Sequence, residues 1–145
     1  MATAKKAAAG KSAFSEEERA AMQEAKRERS KAGKSDGEAD LKAKIAEMTG
    51  LDKQLAEGLY DLVKAHAPGL APKTWYGMPA WAGADGKAVV FFKPALKFKE
   101  RYATLGFNMG AKLDDGHMWP TSFALTGLGP AEKTAIGALL EKAAG

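Results

Sequence analysis

Cysteine is absent from the 145 residues, and histidine occurs only twice. The lack of cysteine excludes disulfides, thiolate catalysis and metal sites built on cysteine ligands, and it agrees with a reducing compartment. No apolar run approaches the roughly 20 residues that span a bilayer. The short alanine run after Lys5 and Lys6 is too weakly apolar for a signal peptide. We therefore expect a cytoplasmic protein with no membrane partner.

Catalytic signatures are missing as well. The sequence has no Gly-x-Ser-x-Gly elbow and neither of the common glycine-rich phosphate loops, GxGxxG and GxxxxGK[ST]. The segment GADGK at 83–87 is too short to cradle a phosphate and is typical of a hairpin turn. We predict no catalytic residues and a protein that is not an enzyme.

Charge of neither sign dominates the chain. Its 22 basic and 18 acidic residues give a net charge of +4. Residues 1–40 contribute +1, from nine basic and eight acidic groups, and residues 41–145 contribute +3, from thirteen and ten. A nucleic-acid domain usually has a denser basic face, so this balance is typical of a mixed, solvated surface that permits an anionic partner.

The N-terminal 37 residues predict an extension outside the compact domain. Residues 1–13 are low-complexity Ala, Lys, Gly and Ser, which is typical of disorder. Ser15 and Glu18 then have the spacing of a helical capping box. Phe14 and Met22 are the only large apolar side chains of the helix that follows, and a helix without an apolar stripe must be solvated or must dock by one end. We expect a flexible extension that contains one solvated helix.

A change of hydrophobic period predicts an α+β domain over residues 38–145. Leu41 and Ile45 repeat at helical spacing, and Asp52 can cap a second helix that Pro68 ends. Strand-like segments follow at 73–83, 88–92, 101–110 and 119–128, before a terminal helix that starts at Pro130. The order predicts N-terminal helices, an antiparallel β-meander and a C-terminal helix in two layers. The helices should cover one face of the sheet and leave the other to solvent or a partner.

The segment TWYGMPAWAG at 74–83 concentrates large side chains, and its ligand-pocket candidates are Trp75, Tyr76, Met78 and Trp81. Pro79 disfavours central ladder pairing, so we expect a strand that bulges or ends there. On that interpretation Trp75 or Tyr76 is buried and Trp81 lies exposed near a rim. Core packing and a small pocket both explain the cluster.

Basic and aromatic residues alternate in FFKPALKFKERY at 91–102, where the basic positions are Lys93, Lys97, Lys99 and Arg101. Stacking on the rings combined with phosphate contacts could bind single-stranded nucleic acid. Lysines that guard an edge strand against aggregation explain the same pattern.

The candidate metal site lies in LDDGHMW, where Asp114, Asp115 and His117 offer oxygen and nitrogen ligands. The same residues are also typical of an ordinary hairpin loop. The other histidine, His66, sits at a predicted helix C-terminus, where we expect a structural role.

Three segments, KTWYGMPAW, GKAVVFFKPALKFKERYATLGF and WPTSFALTGL, precede the predicted C-terminal helix in this order. Together they resemble the YdhG-like family of small bacterial domains, which is largely of unknown function. The resemblance runs from about Asp40 to the end and is most specific at residues 76–79. It implies a helix–sheet–helix fold similar to that of frataxins and, through one branch of the family, an intracellular iron chaperone. The acidic ridge of frataxins would correspond to Glu57 and Asp61, which share a helix face with lysines.

We therefore expect a non-enzymatic binding or carrier module, with iron as the ligand that the resemblance implies. The alternative is a nucleic-acid or protein-interaction module that uses the lysine-rich segment and the N-terminal extension. The sequence leaves the ligand and the oligomeric state open.

Overall fold

The computed structural model describes residues 15–30 and 37–145. Its elements, in chain order, are α1 (Glu16–Ser30), α2 (Gly37–Ala46), α3 (Gly50–His66), β1 (Ala71–Trp75), β2 (Met78–Ala82), β3 (Ala88–Lys93), α4 (Ala95–Phe98), β4 (Ala103–Phe107), β5 (Ser122–Leu125) and α5 (Pro130–Ala144). None of the helices in these ranges is long and apolar enough to cross a membrane. The expectations for residues 1–14 and 31–36 lie outside the described residues.

The strands form one antiparallel sheet in the order β1-β2-β3-β4-β5, so the fold is α+β, as predicted. Both predicted helix boundaries at proline are confirmed: α3 ends before Pro68, and α5 begins at Pro130. β4 and β5 are shorter than the predicted segments 101–110 and 119–128. Pro120 offers no N–H for a ladder, which agrees with the late start of β5.

Side chains alternate along the strands, which gives the sheet two faces. The inner face packs against α2, α3 and α5 in one apolar core, which contains Leu41, Leu55, Leu59, Trp81, Val90, Phe92, Leu105, Phe107, Leu125 and Leu140. The register places the alternate residues on the opposite side, which we call the outer face: Lys73, Trp75, Met78, Ala80, Phe91, Lys93, Thr104, Gly106, Ser122 and Ala124. Phe91 therefore lies on the opposite face of the sheet from Val90 and Phe92.

A two-residue turn divides the segment 73–83, which we predicted to be one strand. Tyr76 and Gly77 have φ angles of 53° and 75°, and positive values at both central residues are the signature of a type I′ turn. Trp75 pairs with Met78 across this turn, so Thr74 and Pro79 form the next, non-hydrogen-bonded pair. Pro79 therefore removes no ladder bond to β1, and the pairing of β2 with β3 begins one residue later at Ala80.

The expectation that Trp81 is exposed near a rim is wrong. β2 continues past Pro79 to Ala82 and lies between β1 and β3. Trp81 pairs with Pro72 on one side and with Val90 on the other. Its side chain points into the core and is only 1% exposed.

α1 is not solvated on all sides, which corrects the expectation for the N-terminal helix. Its capping box forms as predicted, because Glu18 N–H donates to Ser15 Oγ at 3.1 Å and Ser15 N–H to Glu18 Oε1 at 3.0 Å. Ala21 and Ala25 are buried, and Ala21 packs in a cluster with Met78 and Phe98. The small alanine side chains let the helix approach the domain closely, although they form no stripe of large apolar residues.

His66 joins two helices of the inner layer. Its Nδ1 lies 2.7 Å from Glu141 Oε2 on α5. A Cβ at Gly137 would lie 2.8 Å from the imidazole, so the ring packs directly on that glycine. These contacts agree with the structural role expected for His66.

Candidate functional site

A short row of aromatic rings lies at the turn end of the outer face. The ring centroids of Trp75 and Phe91 are 5.0 Å apart, and those of Trp75 and Tyr76 are 4.8 Å apart, edge to face. Trp75 and Phe91 are half-buried, and Tyr76 is 37% exposed. We call these three residues the aromatic row.

Small residues on the neighbouring strands allow the rings of the aromatic row to lie close to the sheet. Phe91 pairs with Ala80 on β2 and with Gly106 on β4. A Cβ at Gly106 would lie 2.1 Å from Phe91 Cζ, so the ring covers the backbone of β4. Ala80 leaves room between Phe91 and Trp75. The ring planes are inclined by 46° between Trp75 and Phe91 and by 86° between Trp75 and Tyr76, and together the three rings form an apolar surface on the sheet.

Lysines border the aromatic row on the same face. Lys73 precedes Trp75 by two positions and Lys93 follows Phe91 by two, so alternation places both on the outer face. Lys73 Nζ donates to the Gly86 carbonyl at 3.2 Å. Lys93 Nζ lies 2.9 Å from Glu100 Oε2, and this pair is partly exposed.

α4 adds Phe98 and Lys97 to the border of the row. Lys93 Nζ and Lys97 Nζ lie 5.1 and 5.6 Å from the centroid of the Phe98 ring, within the range of cation–π contacts. Lys97 Nζ also donates to the Gly77 carbonyl at 3.4 Å, which ties α4 to the β1–β2 turn. Phe98 packs with Met78 and is 9% exposed.

Asp52 positions α4, a role that the sequence analysis missed. Its two carboxylate oxygens accept hydrogen bonds from the N–H groups of Ala95 and Leu96, both at 3.0 Å. Asp52 lies in the first turn of α3 and is only 3% exposed. We expected it to cap α3, the helix that contains it, but its carboxylate caps α4 instead. The sequence carries no signal for this contact, because it joins segments that are 43 residues apart.

Other predicted site residues lie apart from the row. Trp81 is on the inner face, so Trp75, Tyr76, Met78 and Trp81 do not line one pocket. Lys99 pairs with Glu17 of α1 at 3.1 Å, and the Arg101 guanidinium lies 5.0 Å from the centroid of the Tyr102 ring. The interpretation of the lysines as guards of an edge strand is wrong, because β3 is the central strand of the sheet.

The predicted metal ligands do not form a coordination site. Asp114, Asp115 and His117 are all exposed in the loop between β4 and β5. Gly116, at a φ of 63°, turns the chain between the aspartates and the histidine. Within residues 15–30 and 37–145, no group of three or more His, Cys, Asp or Glu side chains is placed to hold a metal ion.

A cleft of about 510 Å³ between α2 and α3 is lined by Lys42, Ile45, Ala46, Lys53, Glu57, Tyr60 and Asp61. Tyr60 O–H donates to Glu38 at its border, and this hydrogen bond raises the pKa of Tyr60 and lowers the pKa of Glu38. Lys42 also pairs with Glu38 at 3.2 Å. Glu57 and Asp61 thus share the cleft with two lysines, and its mixed charges do not favour cations.

The outer face brings aromatic rings and lysine side chains together. The half-buried rings offer surface on which a planar group could stack, and the ammonium groups of Lys93 and Lys97 lie beside them. No protein-family model, curated protein or solved structure matches the chain. The resemblance to the YdhG-like family therefore stays a prediction.

Proposed function

We propose that this protein is a non-enzymatic, cytoplasmic binding module whose outer face binds single-stranded nucleic acid. The observation that carries the proposal is the aromatic row bordered by lysines. Trp75 and Phe91 present half-buried rings 5.0 Å apart on one sheet face, between Lys73 and Lys93. Stacking of a base on an aromatic side chain is worth about 1–3 kcal/mol, whichever base it is.

The charges support the same partner. A phosphate backbone that meets lysines releases counterions, and this release favours binding at low salt. The protein has a net charge of +4. Lys93 is paired with Glu100 in a partly exposed position, and exposed ion pairs are worth at most about 1 kcal/mol. A phosphate can therefore replace Glu100 at little cost.

The conformation of Tyr76 supports a binding role for its ring. Tyr76 has a φ of 53° in a turn where Asn or Gly is strongly preferred. A residue other than glycine in this region costs about 1 kcal/mol or more. Such departures from local preference concentrate at functional sites, where a side chain is retained for what it contacts.

The iron-carrier interpretation has no comparable support. The described residues contain no group of side chains placed to hold a metal. The +4 net charge also disfavours the collection of cations.

Fluorescence anisotropy with a labelled oligonucleotide of about 10 nucleotides tests the proposal, because single-strand binding domains cover sites of this size. Phe91→Leu should weaken binding about tenfold, since it removes one stacking surface. The matched control is Phe123→Leu, which changes a half-buried ring that packs against Phe107 of the core. Equal affinity of these two variants, or no binding by the unchanged protein, would contradict the proposal.

The salt dependence gives an independent check. Lys93→Gln should reduce the slope of log affinity against log salt by about 0.7, the amount expected for one lost phosphate contact on a single strand. Lys133→Gln, at an exposed position of α5, removes the same charge away from the outer face and should leave the slope unchanged.

A further inference from the structure

α1 buries little apolar surface against the rest of the protein. α1 lies against β1 and α4, and the buried side chains of its described part are Ala21 and Ala25. Each buries a single methyl group, which is worth about 0.8 kcal/mol when removed from water. A helix of 15 residues is marginal on its own. Apolar packing alone therefore holds α1 weakly.

Ion pairs complete this contact. Glu17 Oε2 lies 3.1 Å from Lys99 Nζ, and Glu24 Oε2 lies 3.3 Å from Lys44 Nζ. A backbone hydrogen bond and the bond from Lys99 both lower the pKa of Glu17, so this carboxylate stays charged near neutral pH. The Lys99 side chain is 75% exposed, so salt and competing anions reach it.

α1 covers apolar side chains that extend the aromatic row. Ala21 packs on Met78 and Phe98, and Trp75 and Phe91 contact the same cluster. The Phe98 ring already has Lys93 and Lys97 beside it. Removal of α1 would therefore expose more of Met78 and Phe98 beside the aromatic row and would free Lys99 from its pair with Glu17.

We propose that α1 is a displaceable cover of the nucleic-acid site. Its carboxylate Glu17 pairs with the exposed Lys99, which a phosphate backbone can take. The pair of Glu24 with Lys44 helps to hold the helix in place, and Ala21 covers Phe98. Nucleic acid displaces α1 and gains Phe98 and Lys99 as additional contacts. The inference rests on the proposed function, and it adds that the free protein holds part of its site closed.

The test uses the full chain with Glu17→Gln and Glu24→Gln combined. The matched control combines Glu16→Gln and Glu57→Gln, two exposed positions away from the contact that give the same net charge. Without ligand, the first variant should show faster amide exchange in α1 while exchange in the sheet is unchanged. It should bind the oligonucleotide about fivefold more tightly than the control, since two weak ion pairs no longer oppose opening.

The outcomes separate the inference from the proposed function. If both variants bind with equal affinity, or if α1 exchanges at the same rate in both, α1 is not a displaceable cover, although the outer face still binds. If neither variant nor the unchanged protein binds, both proposals fail. Oligonucleotide added to the unchanged protein should accelerate exchange in α1, and slower exchange there would overturn the inference.

Discussion

At the residue scale, the two tryptophans of the β1–β2 hairpin lie on opposite faces of the sheet. Trp75 and Trp81 are six positions apart, so on one continuous strand they would share a face. The turn at Tyr76 and Gly77 changes this relation, because Trp75 pairs with Met78 and Trp81 lies an odd number of positions beyond Met78. The Trp75 ring therefore lies half-buried on the outer face, and the Trp81 ring fills the core.

Because Trp81 is buried, replacing its side chain with alanine should cause a large loss of stability. Trp81→Ala should lower the free energy of unfolding by about 3–5 kcal/mol, since it leaves a cavity among packed side chains. Trp75→Ala should have a clearly smaller effect, because Trp75 is only half-buried. Urea unfolding followed by circular dichroism measures both values. Equal losses for the two variants would contradict the assignment of the two faces.

At the element scale, the turn between β1 and β2 contains Tyr76 at a positive φ, which is unfavourable for a residue with this side chain. Tyr76→Asn should raise the free energy of unfolding by about 1 kcal/mol, because Asn tolerates the positive φ and suits a type I′ turn. The same change should weaken oligonucleotide binding, while Tyr76→Phe, which keeps the ring, should bind like the unchanged protein. A Tyr76→Asn variant that is more stable and binds equally well would show that the ring has no role in binding.

The elements themselves were predictable where local rules agree. Pro68 and Pro130 predicted the boundaries of α3 and α5, and the Asp85–Gly86 turn joins β2 and β3 as expected. The β1–β2 turn was missed because Tyr-Gly is an uncommon pair for a two-residue turn. The docking of α1 was missed because Ala21 and Ala25 do not look like a hydrophobic stripe.

The candidate site could be predicted only in part. Trp75, Tyr76, Lys93 and Lys97 were candidates from the aromatic and basic patterns of two local segments, and the structure places them near one another. The role of Phe91 depends on a close approach to Gly106 of another strand. The position of Phe98 depends on Asp52, which is distant in sequence. Such contacts depend on how the strands pair, and the hydrophobic alternation within one segment does not specify that pairing.

At the scale of the whole molecule, the sheet separates the core from the proposed binding surface. The inner face and its three helices form the core, while the outer face carries the aromatic row and its lysines. Substitutions on the outer face should therefore change affinity more than stability, and those on the inner face should do the opposite.

The most direct test of this account follows the indole N–H signals of the three tryptophans by NMR during addition of an oligonucleotide. Each tryptophan reports on a different place: Trp75 on the aromatic row, Trp81 on the core, and Trp119 on the loop before β5. We predict that the Trp75 signal shifts or broadens while those of Trp81 and Trp119 stay in place. A response confined to Trp119, or no response from any of the three, would contradict the claim that the outer face binds nucleic acid.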